Sequence, residues 1–450
     1  MKHGRYSARD CQRRFPDGFY VGTDIGVELV IGVKFIRDIC NDKRFSLWGL
    51  VNKKWFGNLS GFDVSSDEPT AVTIFRDTIR IKLKQHIEHT MVPISEEASA
   101  ELQNVFSESE DWHSIEVYSS MLDIVSQESA RVFLSNELRQ DPNWRRITRN
   151  HVSDLFVASD FLRQWPRFLC PLVAWISPTC RRMRSDLQKA RDLINPILED
   201  RKARRATQLD TSLPASDDAI DWFEEGSQGR PYDPAELQLR LSIASLHTTT
   251  DCLTQLLCDL AKLPDVVSEL RKEIVSVMKN QSWSTATLYN LKLLDSAIKE
   301  SQRMKPMSFT TVSRMAEDTV KLPNGVVIRK GEIVNFTASN QMWDDDIYPN
   351  ANRYDAFRFA KLREDTGQNM FQLVSSSSDH IGFGYGRNAC PGRFFASASM
   401  KITLCHILLK YDFKFAEGTS SKVEWHGTAL ATNKDARLSV RRRQEEIVLP

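Results

Sequence analysis

The sequence predicts a mainly α protein with small β-sheets, and three observations carry that prediction. Long apolar stretches with helical spacing recur, above all Ala235 to Leu263 and Leu288 to Met304. Strand-like patterning is confined to short runs bounded by turn residues, around Asp24-Ile25-Gly26 and Pro323-Asn324-Gly325. No Gly/Ser/Pro-rich linker divides the 450 residues, although that length alone gives a prior of about three domains. Residues 1–450 are therefore expected to form a single domain, and a hydrophobic share of 41% suffices for one large core.

In chain order, a polar start, Lys2 to Arg14, precedes two runs, Gly18 to Gly22 and Val27 to Val33, that read as a hairpin. Arg76 to His86 is basic and helical. Pro264 opens an amphipathic helix with Val266, Val267, Leu270, Ile274, Val277 and Met278 on one face. Val320 to Phe336 has strand-turn-strand character, with turns at Pro323-Asn324-Gly325 and Lys330-Gly331. After Cys390, the residues Phe394, Phe395, Ala398, Ile402, Cys405 and Leu409 continue one helical face.

Composition excludes several function classes. The formal net charge is +1, which argues against broad nucleic-acid binding. Eight cysteines are scattered without a C-x-x-C pair, so neither a disulfide framework nor a zinc site is indicated, and a reducing compartment fits. No run of about 18 apolar residues marks a membrane span.

The chemistry concentrates in Phe-Gly-Tyr-Gly-Arg-Asn-Ala-Cys-Pro-Gly, residues 383–392. Gly384, Gly386 and Gly392 permit positive φ and let backbone approach a flat macrocycle. Phe383 can shield the sulfur of Cys390, and Pro391 is expected at the first turn of the following helix. Amides at a helix start stabilise a thiolate, so the loop reads as a haem-thiolate cradle. An axial thiolate on haem iron favours O–O cleavage over oxygen storage. Two further patterns precede it. Glu300 and Arg303 share a helix face in Glu-Ser-Gln-Arg, which by itself reads as a surface ion pair. Thr248-Thr249-Thr250 break helix propensity inside the long apolar segment, a conflict that often marks a functional site.

With these motifs in this order, the chain resembles the cytochrome P450 superfamily over nearly its whole length, Phe19 to Val440. The resemblance implies that family's fold, with haem b buried between a long distal helix and the cysteine loop. It also implies Cys390 as the iron ligand, and Phe383, Gly384, Arg387, Gly392 and Arg80 as cofactor-binding residues, Arg80 and Arg387 at the propionates. Glu300, Arg303 and Arg358 would form a buried cluster bracing the loop. Thr248 would help protonate iron-bound dioxygen, with His247 a possible relay where the family has an acid. Asn388 stands where the family usually has a basic residue.

Trp112 to Trp144, Gln164-Trp-Pro-Arg-Phe, the basic run Arg181 to Arg205 and His247-Thr-Thr resemble fungal secondary-metabolism members of terpenoid, indole-diterpene and meroterpenoid pathways. The implied function is a monooxygenase that oxidises an apolar metabolite, with NADPH electrons arriving through a separate NADPH-cytochrome P450 reductase. Leu241, Ala244, Ser245, Met307, Phe309 and Thr310 are expected at the substrate, with the loop Asn58 to Ser66 and the turn Thr428 to Leu430. Arg387, Arg393 and Lys401 are expected on the reductase-facing surface. Family members at the endoplasmic reticulum face the cytosol on an N-terminal anchor. This chain shows no such anchor, so membrane association is expected of a full-length form. Two alternatives stay open: a haem-thiolate isomerase or dehydratase that uses no dioxygen, and a non-catalytic haem-binding protein.

Overall fold

The computed structural model describes residues 11, 13–206, 217–337, 341–426 and 428–450; of the polar start, Lys2 to Asp10 lies outside them. The elements run β1 (Phe19–Thr23), β2 (Gly26–Ile31), α1 (Ile36–Asn41), β3 (Phe45–Ser46), α2 (Leu47–Lys54), α3 (Pro69–Phe106), β4 (His113–Glu116), α4 (Val117–Phe133), α5 (Asn136–Gln140), α6 (Pro142–Arg163), α7 (Cys170–Ile176), α8 (Pro178–Ala206), α9 (Ala219–Ser227) and α10 (Pro234–Leu260). There follow α11 (Pro264–Met278), α12 (Thr285–Asn290), α13 (Lys292–Met304), β5 (Thr311–Ala316), β6 (Val320–Lys321), β7 (Val327–Ile328), β8 (Ile333–Phe336), α14 (Arg358–Thr366), α15 (Arg393–Lys410), β9 (Tyr411–Phe415), β10 (Glu424–His426), β11 (Ala429–Ala431) and β12 (Arg437–Arg442). The expected class, mainly α with small sheets, is the one observed.

Three long helices start on an acidic residue followed by proline. Glu68 accepts from the Thr70 and Ala71 amides (3.0 and 2.6 Å), Asp141 from Asn143 and Trp144 (2.7 and 3.1 Å), and Asp233 from Ala235 and Glu236 (3.0 and 3.3 Å). The carboxylate satisfies amides that a helix start leaves unpaired, and proline needs none. The expected helix Leu288 to Met304 divides into α12 and α13 at Leu291, because Glu273 of α11 accepts from the Leu293 and Leu294 amides (2.7 and 2.9 Å) and starts a new helix there.

The core is a bundle in which α3 packs on α4 and α15, and α10 on α4 and α15. Leu83, Met91, Ile94, Met121, Ile124, Leu253, Leu257, Ile402 and Leu408 meet there and are buried. Glu128 lies in the same bundle, accepting from Ser399 and Thr403 of α15 (both 2.5 Å). Phe394, expected on the apolar face of α15, is 45% exposed instead, since that face begins at Phe395. Beside the bundle lies a five-stranded sheet, ordered β1-β2-β8-β5-β3, in which β2 and β8 run parallel (Glu28 opposite Ile333). Sheet β4-β12-β9 links the start of α4 to the C-terminus. Among the described residues no helix is long and apolar enough to cross a membrane.

Candidate active site

The loop ahead of α15 turns on two glycines. Gly384 and Gly386 have φ of +74° and +67°, a region disfavoured for other residues. Gly386 is also pressed against α1: a Cβ there would lie 2.9 Å from Cys40 Cβ and 3.0 Å from Asn41 Oδ1. Gly392 departs from expectation, with φ −86°, and serves as the N-cap of α15. A Cβ on it would make ordinary contact with Leu83 Cδ1 at 3.7 Å. Pro391 therefore precedes the cap rather than occupying the first helical turn. The cause is the Cys390 amide, which donates to Phe383 O (2.8 Å) and holds the chain extended past Ala389.

Cys390 is half-buried, and burial raises its thiol pKa while the Gly392 amide and Arg393 act the other way. Arg393 Nη1 also donates to Cys390 O (2.9 Å). Phe383 packs against the main core. Lys401 does not reach the surface: it is 4% exposed, pairs with Asp295 (2.6 Å) and donates to Leu288 O (2.9 Å). The second half of α15 is sunk in the bundle, so only Arg387 and Arg393 of the expected basic set present surface.

Glu300, Arg303 and Arg358 come together as a buried cluster. Arg303 donates Nε and Nη2 to Glu300 (2.7 and 2.8 Å), and Arg358 Nε lies 3.2 Å from both Glu300 oxygens. The Asp355 amide adds a fourth donor at 3.0 Å. The remaining guanidinium hydrogens go to main-chain carbonyls of Met342, Ala351, Pro349 and Arg353. Buried charges persist only when paired and fully hydrogen-bonded in this way. The bond network continues toward the cysteine loop. Lys299 donates to Gln372 O and Ser375 O (2.7 and 2.9 Å), and the His380 ring lies 3.1 Å from Lys299 O and accepts from the Gly382 amide (3.4 Å).

On α10 the exposed positions are small. Ala244 and Thr248, one turn apart, are exposed while Leu246, Thr249, Thr250 and Leu253 are buried. Thr248 Oγ1 donates to Ala244 O (3.2 Å) and Thr250 Oγ1 to Leu246 O (2.8 Å), so two of the three hydroxyls are satisfied inside the helix. His247 has different surroundings: its Nδ1 lies 3.2 Å from the Tyr118 hydroxyl of α4 and its buried Nε2 has no partner among the described residues. Burial first, then Lys434, push its pKa down to about 4. One turn on, Asp251 pairs with Lys305 and accepts from the amide and hydroxyl of Thr432 (both 2.9 Å).

The residues expected at a substrate fall into two sets. Leu241 and Thr310 are buried, whereas Ser245 and Phe309 are half-buried and Met307 is 45% exposed. The structure joins two stretches named separately: Phe309 N donates to Thr428 O (2.8 Å), Leu430 N to Met307 O (3.0 Å), and Ser308 bridges Ala429. The loop Asn58 to Ser66 is strapped to α10 by Arg240, which donates to Asp63 O and Ser66 O (3.3 and 3.1 Å).

A sequence profile of the family described as Cytochrome P450 matches residues 29–439. The chain belongs to the cytochrome P450 family. Among similar proteins, cytochrome P450 monooxygenase esdpI of Penicillium shearii is 42% identical over 96% of this chain and 85% of its own length. Cytochrome P450 monooxygenase adrA of Penicillium rubens is 42% identical over 95% of the chain and 84% of its length, and trt6 of Aspergillus terreus 41% over 97% and 89%. The chain is an enzyme of this cytochrome P450 monooxygenase class. The family implies haem-thiolate iron, a small-molecule substrate and a reductase as electron donor.

The residues of this P450 fit haem on an observation independent of the motif. Arg314 of β5 is 2% exposed; Nη1 donates to Ser313 O (2.8 Å), while the buried Nε has no partner among the described residues. Arg387 lies close enough to depress its pKa further, behind burial itself. Two neighbouring guanidiniums, one with an orphaned nitrogen, match a dianionic group such as the haem propionates. Arg80, the sequence-based choice, is exposed on α3 and unpaired among the described residues. Sequence reasoning missed Arg314, Lys299, His380 and Tyr118. Only Arg314 carried a signal, an arginine inside a short strand-forming run between Thr311 and Ala316.

Proposed function

We propose that this cytochrome P450 inserts one atom of dioxygen into a C–H bond of an apolar, terpenoid-type secondary metabolite, with electrons passed from NADPH by a separate reductase. Haem bound through Cys390 would supply the oxygen activation that no side chain can. The observation that carries the reading is the exposed Ala244-Thr248 stripe in the middle of buried α10. It offers one hydroxyl, that of Thr248, on a face small enough for dioxygen and substrate to share.

Each remaining residue has an assigned task. Cys390 ligates iron, Phe383 shields its sulfur, and Gly384, Gly386 and Gly392 keep the loop free of side chains. Arg314 and Arg387 hold the propionates, with Arg80 the third cation in reach of the sequence pattern. Glu300, Arg303 and Arg358 brace the loop through α13. Leu241, Ala244, Ser245, Met307, Phe309 and Thr310 shape the substrate side, and Arg387 and Arg393 face an acidic reductase surface. Residues 1–450 act as one catalytic domain, at the cytosolic face of the endoplasmic reticulum. Support for the terpenoid class is the resemblance of Gln164-Trp-Pro-Arg-Phe and His247-Thr-Thr to fungal members.

The test starts with the carbon-monoxide difference spectrum of the dithionite-reduced protein. Wild type is expected to give a strongly red-shifted Soret band that Cys390→Ser lacks. Terpenoid turnover with a reductase should then require both NADPH and dioxygen and place ¹⁸O from ¹⁸O₂ in the product. Turnover without either would mark an isomerase or dehydratase, and folded, haem-supplied protein without the band would remove the reading.

A further inference from the structure

We propose that Tyr118 and His247 form a proton inlet to the distal face, the tyrosine hydroxyl feeding Nδ1 of the imidazole and Nε2 passing the proton on toward Thr248. The inference rests on the monooxygenase reading above and deepens it, since each oxygen insertion with two electrons consumes two protons, one oxygen atom leaving as water. Some path must bring those protons in from solvent.

The geometry supplies one. Tyr118 sits at the head of α4, half-buried, with its hydroxyl 3.2 Å from His247 Nδ1. Its half-buried ring is covered by the exposed Lys434 at 5.1 Å, so the pair lies one side chain below the surface. The inner end is His247 Nε2, buried and without a partner among the described residues; since consecutive helix positions do not face each other, a bridging water carries the step from Nε2 to the Thr248 side. Buried ring nitrogens of His151 and His406 are also without partners among the described residues; what sets His247 apart is that its other nitrogen faces a tyrosine hydroxyl, so one ring has both an entry and a free exit.

Protonation states favour the same direction. Burial, with Asp251 second, raises the Tyr118 pKa to about 12, so its hydroxyl stays a donor. Burial and Lys434 lower His247 to about 4, so the ring is neutral. With Tyr118 donating to Nδ1, the imidazole proton resides on Nε2. The other charged groups nearby, Asp251 on α10 and Lys305 after α13, pair with each other, and among the described residues His247 has no counter-ion. One passage moves a proton from Nε2 inward, the Tyr118 proton onto Nδ1, and a solvent proton onto the tyrosine oxygen, leaving the Nδ1 tautomer; loss of the Nδ1 proton to water and uptake of another from water at Nε2 resets the ring. No net charge accumulates on either side chain.

Two measurements on the haem-loaded protein test it. In ¹⁵N-histidine NMR of the diamagnetic ferrous carbon-monoxide form, with His247→Gln for assignment among nine histidines, His247 should be neutral at pH 7 with its proton on Nε2. Tyr118→Phe should shift that tautomer balance; a charged ring, or a signal unmoved by Tyr118→Phe, overturns the inlet. Dioxygen consumption with NADPH and a reductase should fall about tenfold or more in both Tyr118→Phe and His247→Ala. The double variant should lose no more, the solvent deuterium effect should change, and His247→Asp should recover part of the rate. The Soret band under carbon monoxide should persist throughout, which separates relay from folding. A Tyr118→Phe rate equal to wild type overturns the proposal. Wild type that shows the thiolate band yet consumes no dioxygen overturns the monooxygenase reading, and the inlet with it.

Discussion

At the residue scale, two glycines of one loop face different demands. Gly386→Ala would need a left-handed alanine and a Cβ inside contact distance of Cys40, so it should lose haem and thermal stability. Gly392→Ala meets neither obstacle within the protein and should keep wild-type thermal stability. Glu128 gives a second expectation, in pH. Burial raises its pKa to about 8, so between the ordinary 4.5 and that value the folded state holds a proton the unfolded chain has lost. Its stability contribution is thus complete below about 4.5 and is lost as pH rises through about 8. Glu128→Gln, permanently neutral, should melt several degrees above wild type at pH 9 and show little advantage at pH 5, as followed by calorimetry. The pairing of Glu300 with Arg303 was legible because three-residue spacing on a helix sets them side by side, whereas their burial with Arg358 came only as what the resemblance implied. Lys401 was misread because nothing local reveals that Asp295 waits across the helix interface.

At the element scale, α13 joins two jobs, carrying Glu300 and Arg303 and anchoring the segment before the cysteine loop through Lys299. Arg303→Ala would leave Glu300 buried with half its partners, a loss of about 3–5 kcal/mol for a broken buried pair. Haem content per folded protein, read by absorbance after purification, should drop well below wild type; full incorporation would refute the bracing role. Burial also lowers the Lys299 pKa to about 7, so its two carbonyl bonds need not be held by a permanent charge. Helix existence was readable from periodicity, and the Asp-Pro and Glu-Pro starts were available as signals. The break at Leu291 was not, because the capping carboxylate of Glu273 comes from another helix.

At the scale of the whole molecule, the expected class and the hairpin β1-β2 emerged from local patterns. The parallel pairing of β2 with β8 and the union of β4 with β12 did not, because they connect residues hundreds of positions apart. The placement of Arg314 beside Arg387 belongs to the same category: it depends on how β5 and the cysteine loop meet, which no window of sequence contains.

The ladder between residues 307–309 and 428–430 follows that rule too. Main-chain bonds make the two stretches one surface, so a change of length in either re-registers side chains on both. Diversification of this enzyme toward new molecules would then proceed by paired inheritance of the two segments, and a chimera exchanging only one would inherit neither parent's selectivity.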